Sequence, residues 1–179
     1  MTSEPRVLRS YSVIVPVRNE EAAIAATLGS IGASMDFFDA RHPRAGEIAG
    51  EVVVVDDGSS DRTLEHAADF ARTRSVRIVR HDRSFGIGPA RNAGARAARG
   101  DVLFFLDGDD FYLPEHLFVG FSLLEGSASS DRIAAPVRLP IGARGHLLWS
   151  PDRPFAAVRT GVVIRDRILP YWKCRLNRP

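Results

Sequence analysis

The 179-residue chain contains one lysine, Lys173, and one cysteine, Cys174. A lone cysteine excludes an internal disulfide and a cysteine-rich zinc site, and it fits a reducing compartment. The five histidines, His42, His66, His81, His116 and His146, show no metal-ligand spacing. No apolar run is long enough to span a bilayer and no signal peptide opens the chain, so the expectation is a soluble, cytoplasmic protein. Charge of one sign is also missing: the net +2 gives no reason to expect a nucleic-acid partner. The basic residues are nearly all arginine, which codon usage explains without any phosphate-binding role. There is no internal repeat and no low-complexity tract. With 45% hydrophobic residues, 1–179 is expected to form a single domain around one core.

What is present is concentrated where strands end. Residues 101–110 read Asp-Val-Leu-Phe-Phe-Leu-Asp-Gly-Asp-Asp, a short apolar run closing on Asp107, Asp109 and Asp110. Residues 102–106 have the composition of a strand buried on both faces. Clustered acids at its end repel one another and raise each other's pKa. A divalent cation relieves that repulsion, and hard oxygen ligands at this density suit Mg²⁺ or Mn²⁺.

A second apolar run, 51–56, ends in Asp56-Asp57-Gly58-Ser59-Ser60-Asp61. Ser59, Ser60 and Asp61 are suited to cap the following helix. Capping leaves Asp56 and Asp57 unexplained, and ligands of open α/β sheets bind outside the carboxyl ends of the strands. A third run, 12–17, leads into Arg18-Asn19-Glu20-Glu21. All three acidic or polar ends are thereby expected on one edge of one sheet.

Between these strands the spacing predicts helices over 19–31, 61–74, 86–99 and 113–125, with a further strand at 76–80 and a surface loop over 33–50. Strands separated by helices imply parallel βαβ units, hence a mainly parallel α/β sheet flanked by helices. Past residue 126 the pattern shifts to a short mixed β region, with strands expected at 131–139 and 156–164.

The ordered pieces Ser12-Val-Ile-Val-Pro-Val-Arg-Asn-Glu20, Val54-Val-Asp-Asp-Gly-Ser-Ser-Asp-Arg-Thr63, Gly86-Ile-Gly-Pro-Ala-Arg-Asn-Ala-Gly94 and Gly100-Asp-Val-Leu-Phe-Phe-Leu-Asp-Gly-Asp-Asp110 resemble family 2 glycosyltransferases over residues 10–125. That resemblance implies a Rossmann-like GT-A fold and metal-assisted, inverting transfer of a sugar from a nucleotide-diphospho-sugar to a sugar or lipid acceptor. It implies that Pro16, Asn19 and Glu20 meet the nucleotide, that Asp57 accepts a hydrogen bond from the base, and that Asp56 shapes that turn. Arg91 and Asn92 fall near the donor site. Asp107 falls where a carboxylate contacts the ribose or the metal shell, Asp109 where one binds the Mn²⁺ or Mg²⁺ bridging the diphosphate, and Asp110 beside them.

The chain departs from the family where the general base is expected. After Asp110 the acids are Glu115, Glu125, Asp131, Asp152 and Asp166, none adjacent to another, so Asp166 is the substitute candidate. The expectation is a donor-binding half, 10–125, joined to a partial acceptor side, 126–179. The alternative is a nucleotide-sugar-binding module without turnover. Seven basic side chains against two acids in 151–179 are compatible with peripheral association at the inner membrane face. A phosphohydrolase reading of Asp107-Gly-Asp109 fails because that motif follows the fourth strand rather than the first. A phosphate-receiver reading fails because Lys173 stands outside the alternating region.

Overall fold

A computed structural model of the chain describes residues 7–125 and 162–164. Strands β1 (Ser10–Val17), β2 (Ala49–Asp56), β3 (Val76–Arg80), β4 (Val102–Phe105) and β5 (Val162–Ile164) form one sheet in the order β3-β2-β1-β4-β5. The first four are mutually parallel and β5 pairs antiparallel with β4. The helices are α1 (Ile24–Arg41), α2 (Thr63–Phe70), α3 (Ile87–Ala97) and α4 (His116–Glu125), with a short 3₁₀ turn at Ala45–Glu47.

The unbroken valine and isoleucine runs are explained by helices on both faces of the sheet. Tyr11, Val13, Val15 and Val17 of β1 pack with Ile24, Leu28, Phe38, Ala67 and Phe121 of α1, α2 and α4. Ile14 faces the other way, with Val53, Val55 and Leu103, against Ala90 and Ala95 of α3. The aromatic centre of the larger core is tilted rather than stacked: the Tyr11 ring lies 5.3 Å from Phe38, and Phe38 lies 5.4 Å from Phe121, edge on. The alanines of α3 let that helix approach closely. A Cβ on Gly94 would come within 2.4 Å of Ile14 Cγ2, so only glycine fits there.

One expectation is corrected. The surface loop expected over 33–50 is largely helix, because α1 runs on past Gly32 to Arg41. Ile24, Leu28, Ile31, Met35 and Phe38 continue one buried stripe, and Gly32 acts as a packing position against the Phe70 ring rather than as a terminator. The helix stops at His42, the residue before Pro43, where helical backbone is disfavoured. The strand expected at 131–139 lies outside the described residues. Among the described residues no helix is long and apolar enough to cross a membrane.

Candidate functional site

Parallel pairing puts the carboxyl ends of β1, β2 and β4 on one edge, with Val17 directly opposite Asp56. Sheet order reverses between β1 and β4, which is where open α/β sheets leave a crevice. A cleft of about 500 Å³ opens there, lined by Pro16 and Val17 at the end of β1 with Arg18 and Glu20 just beyond it, Asp57 just after β2, Ser84, Gly86, Ile87, Ala90 and Arg91 on α3 and its approach, and Asp107, Gly108 and Asp109 after β4.

The acidic turn is held from beneath. Arg91, buried on α3, donates a hydrogen bond from Nη2 to Asp107 Oδ1. Burial pushes the Asp107 carboxyl above its ordinary value; Arg91 pulls it down, while Asp110 and Asp109 push it up. Asp110 N–H closes the turn on the Asp107 carbonyl at 3.0 Å. A Cβ on Gly108 would come within 2.8 Å of Val17 Cγ1 and 3.3 Å of the Pro16 carbonyl. Glycine therefore lets the turn press against the end of β1. Against the same turn, where a Cβ on Gly108 would lie 3.2 Å from Glu20 Cγ, the Glu20 carboxyl is raised by burial and then by Asp109, Asp61 and Asp107. Burial and neighbouring carboxylates both favour its neutral form.

Asp57 faces the same cleft with both oxygens engaged. Oδ1 lies 2.8 Å from His81 Nδ1 and accepts the Phe85 N–H at 2.9 Å. Oδ2 accepts Ser84 Oγ–H at 2.7 Å and the Gly86 N–H at 2.8 Å. An ionised carboxylate only accepts, so the His81 proton sits on Nδ1. Burial alone would raise the Asp57 carboxyl, yet His81, Phe85, Ser84 and Gly86 together hold it well below the usual carboxylate range. Asp57 thus pins the loop that enters α3, where Gly86 takes φ 93°.

Of the residues singled out from sequence, Pro16, Glu20, Asp57, Arg91, Asp107 and Asp109 converge on the cleft. Asn19, Asp56 and Asn92 are not on its wall. Asn19 has φ 53° and accepts the Ser60 N–H on Oδ1 at 2.9 Å, tying the end of β1 to the turn after β2. Asp56 is fully buried, accepts the Ser59 N–H at 2.9 Å and has Arg80 Nε 3.6 Å from Oδ2, consistent with shaping that turn. Asp61 stands one residue before Arg62, the N-cap of α2, and its Oδ1 accepts both the N–H and the hydroxyl of Thr63, the first residue of that helix. Asp166 lies outside the described residues. Arg18, Ser84 and Ile87, which also line the cleft, carry no residue-type signal of their own in the sequence.

The donor set fits an open site for a hard cation. Among the described residues no three His, Cys, Asp or Glu side chains are grouped to hold a metal ion by themselves. Asp109, the second oxygen of Asp107 and the nearby Glu20 carboxyl nevertheless suit a cation that takes its remaining ligands from water and phosphate.

Residues 12–134 match the family model for glycosyl transferase family 2. The chain belongs to that family and has its GT-A fold. It is 32% identical over 161 residues to an uncharacterized glycosyltransferase of Haemophilus influenzae, covering 88% of this chain and 49% of that protein. It is 33% identical to the dodecaprenyl-phosphate galacturonate synthase of Rhizobium johnstonii, covering 60% of this chain and 30% of the relative. The chain therefore spans half or less of these relatives' length. Among solved structures it resembles Staphylococcus aureus TarS in complex with UDP-GlcNAc, with TM-score 0.55 and 31% identity over 65% of this chain and 31% of that one. A mannosyltransferase of Pyrobaculum calidifontis in complex with GDP-Man and Mn²⁺ matches with TM-score 0.55 and 28% identity over 65% of this chain and 32% of that one.

Proposed function

We propose that residues 10–125 form the donor-binding half of a metal-assisted, inverting glycosyltransferase, and that residues 126–179 begin its acceptor side. The observation that carries this reading is the convergence of Asp57, Arg91, Asp107 and Asp109 on one cleft at the switch point of the sheet. Asp109 and Asp107 Oδ2 would hold a Mn²⁺ or Mg²⁺ ion. The ion's chemistry there is to offset the charge that develops on the departing diphosphate.

Arg91 keeps Asp107 oriented, and Asp57 keeps the loop over 81–86 closed on the nucleotide side. Transfer requires the acceptor oxygen to attack the anomeric carbon while the bond to the diphosphate breaks and its electron pair leaves on phosphate oxygen. The acceptor's proton passes to a carboxylate base, a role for which Asp166 is the candidate within this chain. General acid–base catalysis contributes about 10²–10⁴-fold. A chain without that base is expected to bind donor, hydrolyse it slowly and transfer little, as a nucleotide-sugar-binding module would. The dodecaprenyl-phosphate enzyme among the relatives supports a lipid-linked acceptor and peripheral action at the cytoplasmic face of a membrane.

Calorimetry with UDP-, GDP- and dTDP-sugars, with and without Mn²⁺, tests the donor site. Metal-enhanced binding lost in Asp109→Ala supports it. Binding that is independent of metal and unchanged in Asp109→Ala contradicts it.

A further inference from the structure

Helix α1 carries three hydroxyls, Thr27, Ser30 and Ser34, spaced three and four residues apart along one stripe. None serves the surface. Thr27 Oγ1 donates to the Gly108 carbonyl at 2.7 Å, Ser30 Oγ accepts the Tyr112 N–H at 3.0 Å, and Ser34 Oγ accepts the Leu117 N–H at 3.1 Å. The stripe thus grips the backbone from the acidic turn to the start of α4.

Thr27 is the member that reaches the site. Its hydroxyl has one proton and two acceptors, Gly108 O at 2.7 Å and Ala23 O at 3.3 Å, and the shorter contact takes the proton. Gly108 stands between Asp107 and Asp109, so fixing its carbonyl fixes the peptide plane leading into Asp109. Asp107 is already held through its side chain by Arg91. The Asp109 carboxylate makes no side-chain hydrogen bond among the described residues, so no partner corrects its placement if the peptide that carries it shifts; the backbone sets where its side-chain rotamers start. Thr27 itself is 2% exposed and cannot touch a ligand in the cleft.

We propose that Thr27 is a positioning residue of the donor site: acting through the Gly108 carbonyl, it sets the direction of the Asp109 carboxylate toward a diphosphate-bound cation. This rests on the donor-site reading above. The test compares UDP and GDP affinity with and without Mn²⁺ in the wild type, Thr27→Val, Thr27→Ser and Ser34→Ala.

Displacing a group that orients a metal ligand costs about 10–100-fold in metal affinity. Thr27→Val is expected to lose that much of the Mn²⁺ enhancement with metal-free affinity unchanged, and Thr27→Ser is expected to keep it. Ser34→Ala orphans a backbone group of the same segment away from the turn; it is expected to lower Tm and keep the enhancement. If Thr27→Val fails to fold, Thr27→Cys, whose thiol is a weak donor, takes its place. A full enhancement in the Thr27 variant, or an equal loss in Ser34→Ala, overturns the proposal. A wild type without Mn²⁺ enhancement for either nucleotide overturns the donor-site reading and this proposal with it.

Discussion

Arg91 and Asp107, sixteen residues apart and on different elements, form a buried ion pair beneath the cleft, with side chains 4% and 12% exposed. The pair couples the position of α3 to the acidic turn after β4. It also divides the labour of the three acids, since Asp107 spends one oxygen on Arg91 while Asp109 faces the cleft.

Breaking a buried pair by removing one partner leaves an uncompensated charge and costs about 3–5 kcal/mol. Arg91→Met and Asp107→Asn are each expected to destabilise the fold by that order in urea unfolding. The double variant is expected to be less destabilised than the sum of the two, because neither charge is then stranded. Strict additivity would mean the pair is not coupled.

Asp57 is expected to govern the loop that enters α3. Its oxygens accept the Phe85 and Gly86 amides, so Asp57→Ala should speed hydrogen exchange at those two amides while the β2 amides stay protected. Amide exchange followed by NMR checks this. Unchanged protection at Phe85 and Gly86 would show that the loop is held by something other than the carboxylate.

His116 supplies a pH signature. It stacks on Tyr112 at 3.9 Å, its buried Nε2 has no hydrogen-bond partner among the described residues, and burial lowers its pKa to about 4. Between about 6.5, the ordinary histidine value, and 4 the unfolded chain binds the proton and the folded chain does not. Stability therefore falls as pH drops through that window. The raised carboxyls of Glu20 and Asp107 act in the opposite sense just above the ordinary carboxylate range. Asp57, held low, removes stability only as pH falls below that range. His116→Phe keeps the stacking and is expected to flatten the loss between pH 6.5 and 5 in urea midpoints. An identical slope in the variant would assign the acid sensitivity to another group.

Much of the framework is legible because β1, β2 and β4 are buried on both faces and so read as unbroken apolar runs with polar ends. Those three strands and their shared carboxyl edge follow from the runs together with the helices between them, which impose parallel pairing; β3 is shorter and only partly buried. The length of α1 is not legible in the same way. Gly32 looks like a terminator in sequence, and only its packing on Phe70 and the burial of Met35 and Phe38 show that the helix continues. The hydroxyls of Thr27, Ser30 and Ser34 are equally silent, since nothing local indicates that their partners lie about eighty residues further on. Asn19 illustrates the converse. The resemblance places it against the nucleotide, while in the structure its side chain ties the end of β1 to the turn after β2.

The most direct test of the donor-site reading is a crystal structure of this chain grown with Mn²⁺ and the nucleoside diphosphate it binds best, with anomalous scattering collected for manganese. The expected result is an anomalous peak against the Asp109 carboxylate, with the diphosphate beside it and the nucleoside between the ends of β1 and β2. A nucleotide bound elsewhere, or one in this cleft with no manganese at Asp109, would contradict it.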